Sequence, residues 1–425
     1  MTYTDSHGVQ FSNDDEELLK CPEDFEGSYS IPNGVTKISE NAFEFCTQLN
    51  SINIPNSVTE IGESAFEFCT QLNSIILPNS IIKIGKYAFS DCSSLTSIAI
   101  PNGVIGISEG AFEGCNGLIS IYLPKSVTEI GENAFKECTQ LTSINIPNGV
   151  TKIGDYAFWG CDELTSINIP NNVKEIGKYA FRGCRRLTCI TIPNSVNEIG
   201  KDAFSDCSDL TEIYASIYNT VYASDEGVVF NKQKTILLKC PEGKVGNYLI
   251  PDSVTKIGES AFEGCGGLAS ITIPNSVNEI GERGFKGCSK LIRINLPNSV
   301  TKIGNDAFEF CSNLMEINVS SRNTVYASDE GVIFNKQKTI LVMCPQNKVE
   351  SYLIPKGVTE IGENAFNYCT ELTSITIPNS VTKIGIDALR GCKYLKYIFI
   401  PKETTTKFIR CGLSEYQHLL VEKDI

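Results

Sequence analysis

A chain of 425 residues, 41% hydrophobic and 20% charged, carries enough apolar material for a packed core, which excludes global disorder. Its 36 basic and 50 acidic residues leave a formal charge of −14, which repels nucleic acid and anionic membranes. The two histidines, His7 and His418, lie near the termini, so histidine acid-base and metal chemistry is missing from the rest of the chain.

At the N-terminus, Met1 to His7 has neither the basic nor the apolar region of an export signal, so none is expected. No apolar run approaches the ~18–20 residues of a membrane span, and no membrane insertion is expected. From residue 32 a repeat governs the chain. Prolines fall at 32, 55, 78, 101, 124, 147, 170 and 193, at 251, 274 and 297, and at 355, 378 and 401, in steps of 23 within each run. Counted from proline as zero, the unit has Val at +3, Ile at +6, Gly at +7, Ala-Phe at +10 and +11, Cys at +14, Leu at +17, and Ile or Leu at +20 and +22, as in Pro55 to Leu77. Its end alternates apolar and polar residues and is cut by proline, which predicts a short strand closed by a Pro-Asn-Ser or Pro-Asn-Gly turn. One such unit cannot bury its apolar side chains alone. It must stack on its neighbours in a solenoid.

These residues resemble a known family. The L-x-x-I-x-I-P strand followed by V-x-x-I-G-x-x-A-F-x-x-C is similar to the BspA-like leucine-rich repeat of bacterial and protist surface proteins, over residues 31 to about 401. The resemblance implies a leucine-rich repeat solenoid with short parallel strands on its concave face and mostly loops and turns elsewhere. The asparagine ladder of other leucine-rich repeats is missing, its position being held by Ser57, Ser80, Gly103 or Gly149.

Two islands interrupt the period, Pro193 to Pro251 and Pro297 to Pro355, each spanning 58 residues. Asn219 to Gly227 recurs as Asn323 to Gly331, and Phe230 to Leu237 as Phe334 to Leu341. Val228 to Phe230, a polar turn, and Thr235 to Leu238 read as a β-hairpin. These hairpins are expected to project from the solenoid and to be preferred protease sites. Gly8 precedes Pro32 as Gly227 precedes Pro251, so the chain begins inside a similar island. The expected organisation is an N-terminal cap at 1–31, eight repeats at 32–215, an island at 216–250, three repeats at 251–319, an island at 320–354, two repeats at 355–400 and a C-terminal cap at 401–425, all in one continuous solenoid.

Thirteen of the eighteen cysteines sit at +14, three in the Cys-Pro of the islands, and Cys189 and Cys411 are irregular. Neighbours on a ladder about 4.7–4.9 Å apart with parallel side-chain vectors make poor disulfides, and no C-x-x-C exists, so small buried thiols are expected rather than bridges or metal ligands. The Phe row at +11 reads as core stacking. Phe45, Phe68, Phe310 and Tyr368 at +13 stand where other repeats carry Gly or a charge, and read as rim packing or exposed contacts. Alternating Lys and Glu at +5 read as cross-rung pairs. Lys178, Arg182, Arg185 and Arg186 form the strongest basic cluster, with Asp162 and Glu163 one repeat before Arg185 and Arg186 to neutralise it.

The outward strand positions hold Ser at four before proline and Ile76, Ala99, Tyr122, Asn145, Asn168 and Thr191 at two before proline. These serines have no histidine partner in the repeats, so no nucleophile-base pair is expected, nor any cofactor, metal site or enzymatic activity. A row of small polar residues with an aromatic anchor suits protein contact, so the six are the expected protein-binding residues, with the basic cluster as the alternative site. The resemblance implies a surface adhesin binding host or extracellular-matrix protein. The other reading, favoured by the missing export signal and by eighteen reduced thiols, is an intracellular, cytoplasmic interaction scaffold.

Overall fold

The computed structural model describes residues 2–348 and 350–425. It divides into two units, Met1–Gly227 and Val228–Ile425, each a parallel-strand solenoid of the leucine-rich repeat type with little helix.

The repeat explains the rung. In the unit beginning at Pro124, Val127, Ile130, Ala134, Phe135, Cys138, Leu141, Ile144 and Ile146 are all buried. Three axial ladders then join each rung to the next. The first pairs the strands before proline in parallel: Ser97–Ala99, Ser120–Tyr122, Ser143–Asn145 and Ser166–Asn168 run in register, Ser143 opposite Ser166 and Ile144 opposite Ile167. The second pairs two-residue strands at +5 and +6, such as Glu129–Ile130, Lys152–Ile153, Glu175–Ile176 and Glu198–Ile199.

The third ladder lies in the Ala-Phe turn, where amides at +9, +11 and +13 donate to carbonyls at +8, +10 and +12 of the following rung. Asn133 N–H bonds Asp155 O at 2.9 Å and Phe135 N–H bonds Ala157 O at 2.8 Å. Positions +9 and +13 adopt positive φ, which explains the Gly, Asn and Asp found there. Phe45 and Phe68 also hold φ near +60° at +13, 60° and 58°, and stack on each other with centroids 4.8 Å apart.

The Phe rings at +11 form a column inside each unit. Phe158 and Phe181 lie 5.4 Å apart and nearly parallel, and Phe262 and Phe285 lie 5.1 Å apart. Island tyrosines begin the columns, with Tyr29 6.1 Å from Phe43, Tyr248 5.9 Å from Phe262 and Tyr352 5.9 Å from Phe366.

The hairpins of the islands form but do not project. Val228–Asn231 pairs antiparallel with Ile236–Lys239, which then pairs in parallel with Lys256–Ile257 and so enters the second ladder. Val228, Phe230 and Leu237, like Val332, Phe334 and Leu341, are core residues, because the hairpin supplies the apolar side chains that the absent half of a repeat would have supplied. Tyr326–Asp329, Val332–Asn335 and Ile340–Met343 likewise run antiparallel before Ile340–Met343 joins Glu360–Ile361. Residues after 401 form a short helix, Thr405–Phe408, and a last strand, Leu420–Lys423, parallel to Tyr397–Pro401, with Phe408 and Leu413 buried.

Candidate protein-binding face

Alternation along each strand separates core from surface. Ile144 and Ile146 point inward, while Ser143 and Asn145 are exposed. The rungs repeat every 23 residues, so these exposed positions align in rows. Ala99 stands opposite Tyr122, Asn145 opposite Asn168, and Thr191 opposite Tyr214. Ile76, Ala99, Tyr122, Asn145, Asn168 and Thr191 therefore share one face of the first unit, all exposed. Ile76 is 84% exposed and Tyr122 59%, which is high for large apolar bodies. A parallel row of exposed serines, Ser74, Ser97, Ser120, Ser143 and Ser166, runs beside them.

The row extends further than proline counting shows. Ser216 stands where the next proline would be, so Tyr214 occupies the position two residues before the turn and continues the row at 43% exposure. Ile217 and Tyr218 follow it on the surface of the island, and Ile119 is exposed three residues before Tyr122. The signal was present in the 23-residue frame, which carries over the missing proline. A hydrogen bond from the Tyr214 hydroxyl to Glu212, with burial a smaller cause, raises the pKa of that phenol above its ordinary value.

The basic cluster is tied up by carboxylates. Arg186 lies 2.8 Å from Glu163, Arg185 3.8 Å from Asp162, and Arg182 2.7 Å from Asp206, its guanidinium also over the Tyr179 ring at 5.5 Å. The exposed Lys178 stands apart, its backbone amide donating to Asp155 Oδ1 at 2.7 Å. The +5 ladder behaves the same way: Lys152 pairs with Glu175 at 3.1 Å, and Glu279 sits between Lys256 and Lys302 at 3.3 and 2.8 Å.

Among the described residues no group of three or more His, Cys, Asp or Glu converges as a metal site, and no helix is long and apolar enough to cross a membrane. The strand face offers hydroxyls, amides and exposed rings on a backbone fixed by three ladders. Such an arrangement can hydrogen-bond a polar partner surface and bury its aromatic residues against it.

Comparison with family models matches the BspA type leucine rich repeat region, in 6 copies, over residues 25–142, 128–231, 241–338 and 342–411. Comparison with curated proteins finds no match. Among solved structures, a leucine rich cell surface protein from Faecalibacterium prausnitzii A2-165 is 28% identical, with 100% of this chain and 99% of that one covered and a TM-score of 0.56. A leucine-rich repeat protein from Bacteroides ovatus ATCC 8483 is also 28% identical, covering 100% of this chain and 98% of that one, with a TM-score of 0.53.

Proposed function

The chain belongs to the BspA-type leucine-rich repeat family, and from that membership we propose that it is a non-enzymatic, cell-surface scaffold that binds a host or matrix protein through the strand face of its first unit. The observation that carries the reading is the row from Ile76 to Tyr214, where large apolar and aromatic side chains stay exposed on rigid strands. Rigid surfaces lose less entropy on association, and Tyr is enriched among the residues that dominate binding energy. Full-length similarity to a bacterial surface protein supports the location.

The test is surface plasmon resonance against immobilised extracellular-matrix proteins. Tyr122→Ala with Asn145→Ala should weaken binding by ~1–3 kcal/mol while leaving thermal unfolding unchanged, because both side chains lie outside the core. Arg185→Glu with Arg186→Glu is the control. Binding lost in the control and kept in the strand-face variant would move the interface to the basic flank. A second reading, an intracellular scaffold, draws on the buried cysteines, whose thiols are engaged with backbone carbonyls and need no oxidising compartment. Fractionation of native cells separates the two.

A further inference from the structure

Three stretches of the chain, at 8–32, 227–251 and 331–355, follow one island pattern, and one cluster within it changes its chemistry in the third. In the first, Lys20 Nζ donates to Asn41 O at 3.0 Å and lies 3.9 Å from Glu44. In the second, Lys239 Nζ lies 3.3 Å from Glu242 Oε1 and donates to Glu263 O at 3.3 Å, with both side chains largely buried. In the third, Met343, Gln346 and Asn367 hold the places of Lys239, Glu242 and Glu263. The ammonium is gone, and a thioether that donates nothing replaces it.

A cavity of about 120 Å³ opens at this point of the second unit, lined by Met343, Gln346, Asn367, Asp306, Glu363 and Phe308 among others. Gln346 is only 8% exposed, and its Nε2 donates to Asn367 O at 3.2 Å. Asn367 Oδ1 is buried and has no hydrogen-bond partner among the described residues. Asp306 accepts one bond, from Asn364 Nδ2 at 3.3 Å, and neither Asp306 nor Glu363 forms an ion pair among the described residues. Glu309 on the same wall is already paired with Lys286 at 3.3 Å. The wall is rich in acceptors and negative charge, and it lacks the donor that its two sister sites contain.

We infer that this cavity binds a primary ammonium group, carried by a small alkylamine or by a lysine side chain of a bound protein. An ammonium offers three donors on a thin alkyl stem, which matches the orphaned amide oxygen of Asn367, two carboxylates and the apolar walls of Met343 and Phe308. Size agrees, since the volume lies well below the ~300–1,000 Å³ of ordinary small-molecule sites and suits a side-chain tip. Supplying the donor also removes the cost of leaving the buried Asn367 acceptor unpaired. The site lies in the second unit and does not depend on the strand face of the first.

Isothermal titration of the full chain with n-butylammonium tests the inference, with the neutral n-butanol as its isostere. The side-chain amide signals of Gln346 and Asn367 locate the binding. Saturable binding of the ammonium, at least about tenfold tighter than the alcohol, is expected. Met343→Lys with Gln346→Glu refills the cavity with the pair found in the sister island, and should lower the affinity about tenfold or more. Asp306→Asn with Glu363→Gln leaves the cavity open but without its two unpaired carboxylates and should do the same, so a folding failure of one variant leaves the other to decide. Ac-Gly-Lys-Gly-NH2 and its Nε-acetylated form separate the sources: binding of the first alone among the peptides points to a protein lysine, and binding of butylammonium without either peptide points to a free amine. No saturable ammonium binding, equal affinity for butanol, or undiminished affinity in both variants would overturn the inference.

Discussion

Each cysteine at +14 does more than fill space. Cys138 Sγ donates to Phe112 O at 3.1 Å, Cys161 to Phe135 O at 3.2 Å and Cys184 to Phe158 O at 3.3 Å, so a column of thiols ties each rung to the carbonyl of the one before. Cys138→Ala should therefore cost ~1–2 kcal/mol in denaturant unfolding, from the lost contact and the small void together. Burial pushes the Cys92, Cys138 and Cys184 thiols well above their ordinary range, neighbouring thiols adding to it, and it holds Cys392 up at about 12. Their thiolates are scarce at pH 8, whereas Cys189 is exposed on its strand. A thiol reagent at pH 8 should label Cys189 first, and denaturation should release the full eighteen. The sequence also hid a buried asparagine. Asn323 donates to Pro297 O at 3.0 Å and Val300 O at 2.8 Å, and it accepts from the amides of Val325 and Tyr326, the same set that Asn219 makes in the first unit. Asn323→Ala should destabilise by ~2–4 kcal/mol in calorimetry, since it orphans several buried groups at once.

At the scale of the rung, the glycine at +7 is a packing requirement. A Cβ on Gly154 would lie 2.6 Å from Glu132 N and from Gly131 C, backbone atoms that cannot rotate away. Gly154→Ala should cost ~2–3 kcal/mol, seen as a lower unfolding midpoint. In the repeat that begins at Pro101 the glycine is lacking. Ser108 takes its place, its hydroxyl bonds Ile84 O at 2.6 Å, and the second ladder shrinks there to the single bridge Ile107 to Ile130. The charge row was legible from alternation alone, because neighbouring rungs bring +5 side chains together. Glu279→Lys would set three lysines in succession and should destabilise by ~1–2 kcal/mol at low salt, less in 1 M salt. Projection of the hairpins was the reading that failed. Polar turn residues at 231–235 advertised a surface loop, but the flanking Val228, Phe230 and Leu237 were needed in the core. Limited proteolysis should accordingly spare both hairpins.

For the molecule as a whole, periodicity made the fold legible, since apolar positions fixed to a 23-residue spacing admit one way of stacking. The strand row from Ile76 to Thr191 was legible for the same reason. Tyr214 was legible only in the 23-residue frame, because Ser216 breaks the proline count, and the cavity beside Met343 was not legible, because it depends on which side chains fall short of filling a shared site. The charge balance of −14 now has a spatial counterpart in the ion pairs that hold Arg182, Arg185 and Arg186. The protein should pass through a heparin column unretained at 0.15 M salt. Retention there would show that the arginines are available to an anionic partner.

The interlock between rungs has an evolutionary consequence. A glycine, a thiol and three ladders make each joint between regular rungs nearly the same as the next, so unequal crossing-over in the gene by any multiple of 23 codons would create no unfamiliar interface. Length is then a neutral variable on which selection for reach can act, while the exposed row, free of core duties, diversifies residue by residue. The two islands, whose text is nearly identical, record that whole blocks have been copied in this way.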